Sequence, residues 1–195
     1  MIRPVLLITA AALLCACDRR EEPAPQAPPA DASATAPASD TASGTDAPMT
    51  ARAVVNPTSN NTATGELTLT ADQGAVRVTG QLTGLKPNSE HAVHVHEKGD
   101  CSAPDASSAG EHFNPTQQPH GNPDVPEHHA GDMYNVSADD KGSAQVDTRA
   151  VGATLRDGGS TDLAGKAVVV HEKPDDYKTQ PSGGSGARIA CGVIE

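Results

Sequence analysis

The sequence predicts an all-β domain, an eight-stranded antiparallel Greek-key β-barrel or sandwich with long loops. Short stretches alternate polar and apolar residues, which is typical of strands that bury one face. Gly (18) and Pro (16) are abundant and favour turns over long helices. No stretch has a convincing amphipathic helical period, so a sandwich or barrel is the architecture that this many short strands would form.

Alternation is clearest in residues 66–70 and 75–82, and residues 71–74 between them have a hairpin-turn composition. Further strand candidates are residues 92–96, 133–137, 144–148, 166–171 and 187–194, with a second turn at 139–142. Residues 98–131 have little strand character. Long loops inside compact domains are usually functional, so this region is the first place to look for a site.

Composition excludes several function classes. The chain has 14 Lys and Arg against 25 Asp and Glu, a net charge of −11, which argues against a nucleic-acid partner. It has no Trp, one Phe and two Tyr, so a base-stacking site is not expected. No apolar run reaches the roughly 18–20 residues of a membrane span.

The N-terminus has the pattern of an export signal. Arg3 precedes an apolar stretch over residues 4–14, and Leu14-Cys15-Ala16-Cys17 follows. This resembles the bacterial lipoprotein box, which implies a signal peptide over residues 1–17 and lipidation of Cys17. An ordinary signal peptide with incidental cysteines is the alternative. We expect a periplasmic protein held at a bacterial membrane through its N-terminal lipid only, with the choice of membrane open.

A tether and one domain follow. Residues 18–50 are rich in Ala and Pro without apolar periodicity, which predicts a disordered, extended linker. Residues 51–195 are predicted to form the domain. They contain two cysteines, Cys101 and Cys191, which are expected to pair in an oxidising compartment, with two free thiols as the alternative.

Eight histidines are the unusual feature of the composition. His94 and His96 are two apart in a predicted strand, so they share a face with side chains about 7 Å apart. Four others and a carboxylate lie in or after the long loop or end a strand: His112, His120, His129, Asp132 and His171. Imidazole suits copper and zinc, and a carboxylate among imidazoles is a common zinc ligand, so the set predicts a metal centre with ligands for two ions.

Five motifs in order resemble the signature blocks of the Cu,Zn superoxide dismutase family. They are His94-Val95-His96-Glu97, Gly110-Glu111-His112-Phe113-Asn114-Pro115, His129-Ala130-Gly131-Asp132, Val169-Val170-His171-Glu172-Lys173, and residues 186–194 with the sequence GARIACGVI. The resemblance covers roughly residues 51–195. It implies one copper ion and one zinc ion, and it makes the long loops metal-binding loops.

The resemblance also implies a role for each ligand. Copper would be bound by His94, His96, His112 and His171. Zinc would be bound by His112, His120, His129 and Asp132. His112 would bridge the two metals and carry a proton during catalysis. His128, adjacent to His129, would be a solvated neighbour, and His91 matches no ligand position.

Other residues match the family outside the ligand set. Asp175 would be the carboxylate that links one ligand of each metal, and Arg188 would hold the substrate anion beside copper. Cys101 and Cys191 match the family disulfide. Lys178, in the short stretch before Arg188, is a possible substrate-steering residue.

The implied activity is dismutation of superoxide to dioxygen and hydrogen peroxide by alternating reduction and oxidation of the His-bound copper. Superoxide is then the partner, and monomer and homodimer are both open. The alternative function is an exported copper or zinc carrier on the same scaffold. A structural surface lipoprotein would explain the tether and strands but not the ligands.

Overall fold

The computed structural model describes residues 48–195, and these form nine strands and one 3₁₀ turn at Ser107–Ala109. The strands are β1 (Thr50–Pro57), β2 (Thr64–Asp72), β3 (Ala75–Thr83), β4 (Glu90–His91), β5 (Val93–His96), β6 (Val136–Ser137), β7 (Ala144–Val151), β8 (Ala167–His171) and β9 (Arg188–Val193). The predicted signal peptide, Cys17 lipidation and most of the tether lie outside the described residues. Within the described part, no helix is long and apolar enough to cross a membrane.

Seven strands form one antiparallel sheet in the order β5-β8-β9-β1-β2-β3-β7, and β4 pairs with β6 in a separate two-stranded sheet. The chain reaches β5 directly from β4 and β7 directly from β6. The short pair therefore links the two edge strands, and the sheet is nearly closed into a barrel. The all-β antiparallel prediction is confirmed, with seven strands in the main sheet rather than eight.

The sequence pattern indicated neither the two-residue strand β4 nor strand β1, which is the longer omission. Ala51, Ala53 and Val55 face the core, whereas Val54 is 59% exposed. Alanines on the buried face and a valine on the outer face conceal the alternation that marks other strands. The predicted strand at 133–137 is reduced to Val136–Ser137, and residues 133–135 join the preceding loop.

The core lies inside the barrel and is made of aliphatic side chains that alternate with outward polar ones along β2, β3 and β7. Leu67, Leu69, Val78 and Leu82 are fully buried there. The β2–β3 hairpin turns at Gly74, whose φ of 71° suits a residue without a Cβ. This barrel is the rigid frame from which the loops extend.

Two loops leave the sheet beside β5 and β8. The first loop covers residues 97–135 and the second loop covers residues 172–187. Cys101 and Cys191 form a disulfide with a Cα–Cα distance of 5.7 Å, so the predicted pairing is confirmed. The disulfide bonds the beginning of the first loop to strand β9.

Candidate metal centre

The strand pattern of β5 separates the barrel core from the site. Val93 and Val95 belong to the core, whereas His94 and His96 point to the other face, which the two loops cover. Strand β8 pairs with β5 and ends at His171, where a bulge shifts the register. All three histidines are at most 3% exposed because the loops lie over them.

Four ring nitrogens, one each from His94, His96, His112 and His171, lie within 4.8 Å of one another. We call this set the copper cluster, after the metal that the family resemblance implies for it. His96 Nε2 and His171 Nε2 are 3.4 Å apart. His96 Nδ1 donates to the carbonyl oxygen of Gly110 at 2.9 Å, and a carbonyl can only accept, so the Nε2 of this ring carries a lone pair.

His171 is oriented in the same way. Its Nδ1 lies 3.1 Å from Ser185 Oγ and 3.4 Å from the carbonyl oxygen of Gly186. With Nδ1 protonated, the Nε2 lone pair faces that of His96. Two facing lone pairs in a buried site repel each other unless a cation lies between them.

A second set lies beside the first, with His112 common to both. We call it the zinc cluster, and its members are His112, His120, His129 and Asp132. Asp132 Oδ1 is 2.8, 3.0 and 3.3 Å from the Nδ1 atoms of His112, His120 and His129. Tetrahedral zinc with bonds of about 2.0–2.1 Å would separate its ligand atoms by about 3.3 Å, so the spacing fits with a small expansion.

The second oxygen of Asp132 holds the carboxylate in place. Asp132 Oδ2 accepts backbone N–H bonds from Gly121 at 3.1 Å and His129 at 2.9 Å. The carboxylate is fully buried, so its orientation is set by these bonds rather than by solvent. Oδ1 is thereby directed at the histidines.

Buried ring nitrogens without a hydrogen-bond partner occur in both clusters. Within residues 48–195, the buried side-chain nitrogens without a hydrogen-bond partner are His94 Nδ1, His112 Nε2, His120 Nδ1 and His129 Nδ1. Unpaired buried polar atoms are costly and rare, and one metal ion in each cluster would together satisfy all four. The donor sets differ as copper and zinc sites do: four imidazoles in one, three imidazoles and a carboxylate in the other.

Three of the four rings in the copper cluster have lowered pKa values. Burial and the neighbouring His112 lower the pKa of His96 to about 2. Burial, with His94 and His96 nearby, also holds the pKa of His171 well below its usual value. Burial lowers the pKa of His112 to about 4, although Asp132 partly opposes this. These rings keep their lone pairs at neutral pH.

The zinc cluster is charged. Burial lowers the pKa of His120, but its contacts with the carboxylates of Asp132 and Asp175 outweigh burial and raise the pKa to about 9. Burial raises the pKa of Asp132, but its contacts with the rings of His112, His120 and His129 hold it far below its usual range. The metal-free cluster thus contains a carboxylate and a proton that a metal must displace.

Asp175 connects the two clusters from the second loop. Its Oδ2 is 2.8 Å from His94 Nε2 and its Oδ1 is 3.0 Å from His120 Nε2. A carboxylate accepts, so both rings carry a hydrogen on Nε2 and direct Nδ1 toward the metal-binding side. Those are two of the four unpaired nitrogens.

Arg188, at the start of β9, lies beside the copper cluster. Its two terminal nitrogens donate to the carbonyl oxygens of Ala106 and Gly110, each at 2.7 Å. Gly110 also accepts from His96, so one carbonyl links the guanidinium to a copper-cluster ring. Lys178 is exposed on the second loop.

The two remaining histidines of the sequence lie outside both clusters. His128 donates from Nδ1 to the carbonyl of His129 at 2.7 Å, so the structure brings His129 rather than His128 to Asp132. His91 is buried, and its Nδ1 lies 2.9 Å from the carbonyl of His171, with Ser89 Oγ 2.9 Å from Nε2. It supports a strand end rather than offering a ligand.

Sequence reasoning missed several polar residues around the centre. Ser185 contacts His171, Asn135 bonds the backbone of Asp175, and Gln180 bonds the backbone of His120. Their partners are distant in sequence, and a side chain that recognises backbone leaves no spacing pattern. No motif could have indicated them.

The model of the copper/zinc superoxide dismutase family matches residues 63–194. The chain belongs to this family. Superoxide dismutase [Cu-Zn] 1 of Aquifex aeolicus is 43% identical over 136 residues, 67% of this chain and 79% of that protein. Superoxide dismutase [Cu-Zn] of Caulobacter vibrioides is 42% identical over 138 residues, 67% of this chain and 78% of that protein.

Solved structures agree. The crystal structure of the clock protein EA4 is 41% identical, with a TM-score of 0.66, and the match covers 75% of this chain and 94% of that one. The resemblance inferred from the motifs is confirmed. As a Cu,Zn superoxide dismutase family member, the chain has superoxide as its substrate and one copper and one zinc ion as its cofactors.

Proposed function

We propose that the chain dismutes superoxide at the copper cluster and uses the zinc cluster to position His112. The observation that carries this proposal is the sharing of His112 between an all-imidazole set and a set that contains a carboxylate. Copper would be held by His94, His96, His112 and His171. Zinc would be held by His112, His120, His129 and Asp132. The bound copper supplies one-electron redox chemistry, and zinc supplies none.

His112 is the proposed proton carrier. Its Nδ1 is 2.8 Å from Asp132 Oδ1 and faces the zinc cluster, so Nε2 is the atom at which a proton can be taken up and released. Nε2 is buried with no other partner in the described residues, and therefore exchanges only with whatever occupies the copper side. On the copper side, His112 can pass this proton to the superoxide that is being reduced.

Arg188 is the proposed anion-binding residue. Its guanidinium is half-buried and is held by two carbonyls at 2.7 Å, which fixes a positive charge beside His96. A planar, permanently charged donor group suits a small anion such as superoxide. The net charge of −11 is then less relevant than the local field at the cluster.

Pulse radiolysis of the chain loaded with both metals tests the activity. We expect superoxide to decay with a rate constant near the diffusional ceiling of roughly 10⁹ M⁻¹s⁻¹. The His96→Gln variant, which removes one copper ligand and keeps the zinc cluster, should lose this activity and retain zinc. Decay no faster than in buffer, with both metals bound, would contradict the proposal and favour metal carriage.

We propose further that the chain is exported and held at a membrane by lipid on Cys17, with residues 18–50 as the tether. The export pattern of residues 1–17 supports this, and so does the Cys101–Cys191 disulfide, because such bonds persist in oxidising compartments. Labelled palmitate should be incorporated into the full chain in bacterial cells and not into Cys17→Ser. Equal labelling of both would contradict the lipid anchor.

A further inference from the structure

Two side-chain amides hold the backbone on either side of the zinc cluster. Gln180 Nε2 donates to the carbonyl of His120 at 2.7 Å, and Gln180 Oε1 accepts from the N–H of His120 at 2.9 Å. Asn135 Nδ2 donates to the carbonyl of Asp175 at 3.0 Å, and Asn135 Oδ1 accepts from the N–H of Asp175 at 2.8 Å. We call these two pairs the amide clamps.

Each clamp fixes more than a distance. A carboxamide presents one donor and one acceptor in a single plane, so binding both groups of one residue fixes its rotation as well as its position. The clamps are reciprocal between loops. Gln180 in the second loop holds His120 in the first, and Asn135 in the first loop holds Asp175 in the second.

The two clamped residues are themselves partners. His120 Nε2 and Asp175 Oδ1 are 3.0 Å apart and both side chains are fully buried. That contact leaves His120 Nδ1 facing Asp132 Oδ1 at 3.0 Å, as a zinc ligand would. A small backbone movement at either residue would rotate the ring and move Nδ1 away from the other ligands.

The second loop packs closely against the contact between His120 and Asp175. A Cβ on Gly183 would collide with the Asp175 carboxylate and lie 2.9 Å from His120 Nε2. Gly183 has a φ of 67° and its N–H donates to the carbonyl of Thr179 at 2.7 Å, which closes the turn that contains Gln180. The second loop is thus folded tightly against the His120–Asp175 contact.

We propose that Gln180 and Asn135 are positioning residues for zinc, and that Gln180 sets the rate at which zinc leaves. This rests on the assignment of zinc to His112, His120, His129 and Asp132. Neither amide touches the metal site. They act through the backbone of His120 and Asp175. Release of zinc requires the His120 ring to move away from the other ligands, and both amide clamps oppose that movement.

Gln180 is the better residue to vary because it is exposed, and its loss does not open the core. Gln180→Met keeps the length of the side chain and removes both hydrogen bonds. Gln118→Met is the matched control, since Gln118 lies in the first loop and its side-chain amide makes only a 3.4 Å contact with Thr116 two residues away. Both substitutions leave every proposed ligand in place.

Zinc transfer from the fully metal-loaded chain to a chromophoric chelator is the first readout. We expect Gln180→Met to release zinc about tenfold faster, since loss of a group that orients a ligand typically costs 10–100-fold in metal affinity. Gln118→Met should match the wild-type rate. A Gln180→Met rate equal to that of Gln118→Met would overturn the proposal.

The visible spectrum of Co²⁺ bound in place of zinc is the second readout, and it separates positioning from general loop stability. Tetrahedral Co²⁺ bands should shift or weaken in Gln180→Met and stay unchanged in Gln118→Met. Unchanged bands in both would mean that the clamp stabilises the loop without orienting His120. A wild-type chain that holds neither zinc nor Co²⁺ would instead overturn the metal assignment, and with it both proposals.

Asn135 provides an independent check. If the clamps act on one unit, Asn135→Leu and Gln180→Met together should speed zinc release by less than the product of their separate effects. Fully multiplicative effects would mean that the amides act on separate parts of the loops, which contradicts a joint role.

Discussion

The copper cluster and the zinc cluster share His112 and are both buried, yet they differ in charge and in what holds them. The copper cluster contains only imidazoles, with the pKa of His96 lowered to about 2. The zinc cluster is built around Asp132, and the pKa of His120 is raised to about 9. Imidazole suits copper and zinc alike, whereas a carboxylate among imidazoles is a common zinc ligand.

Their supports differ as well. On the copper side, three of the four ligands come from β5 and β8, and the adjacent part of the first loop is bonded covalently to β9 through Cys101–Cys191. On the zinc side, the ligands lie in the first loop and are held by Asp175 and the amide clamps. The copper site is thus built mainly on the barrel, whereas the zinc site depends on contacts between loops.

The largest expected effect is the loss of stability when the Cys101–Cys191 disulfide is removed. The disulfide closes a sequence separation of 90 residues, for which the chain-entropy model gives roughly 4–5 kcal/mol of stabilisation as an upper figure. We expect Cys101→Ser with Cys191→Ser to lower the free energy of unfolding in urea by several kcal/mol. A double variant as stable as the wild type would contradict the idea that the first loop is anchored there.

Removing the negative charge of the zinc cluster should weaken zinc binding and abolish the difference in charge between the two clusters. Asp132→Asn takes away a ligand and the anion that pairs with three histidines, so zinc affinity should fall by more than about 100-fold, beyond the usual cost of losing an outer partner. Competition with a chelator measures this. Asp124→Asn, an exposed change in the same loop, should leave zinc affinity unchanged, and an equal loss in both would contradict the assignment.

The local field at the copper cluster should matter more than net charge. Arg188→Ala is expected to slow the reaction with superoxide about tenfold at low ionic strength, the lower end of measured steering effects. Arg149→Ala changes net charge equally but lies beside Asp72, on β7. Pulse radiolysis of both variants decides the point, since equal slowing would make net charge the relevant quantity.

The finest expected difference between the two clusters is a single proton released on metal binding. Because the pKa of His120 is raised to about 9, zinc must displace a proton at pH 7, and zinc affinity should rise by up to tenfold per pH unit until pH 9. The pKa values of His96 and His171 are lowered, so these rings carry no proton to displace.

Calorimetry of the metal-free chain in buffers of different ionisation enthalpy counts these protons. We expect about one more proton released on binding zinc than on binding copper at pH 7. Equal release for the two metals would contradict the electrostatic difference between the clusters.

Much of the site could be predicted from the sequence because ligands that lie on strands and in short motifs have a recognisable spacing. The separation of His94 and His96 by one residue already places both on one face of β5. The order of five motifs then indicated the family. The spacing to Asp132 and the family motif favoured His129 over the adjacent His128, and the structure brings His129 Nδ1 to 3.3 Å from Asp132 Oδ1.

The rest could not be predicted, for physical reasons. Strand β1 buries Ala51 and Ala53, whose small side chains give little hydropathy signal. Asn135 and Gln180 recognise backbone groups 40 and 60 residues away, and that depends on loop conformation rather than on residue type. The linkage of β4 and β6 likewise arises only when the barrel closes.

Anomalous diffraction from crystals of the chain loaded with both metals, collected on either side of the copper and zinc absorption edges, would locate each metal directly. We expect a copper peak among His94, His96, His112 and His171, and a zinc peak among His112, His120, His129 and Asp132. Mixed occupancy of both clusters, or a metal bound without His112, would contradict this assignment.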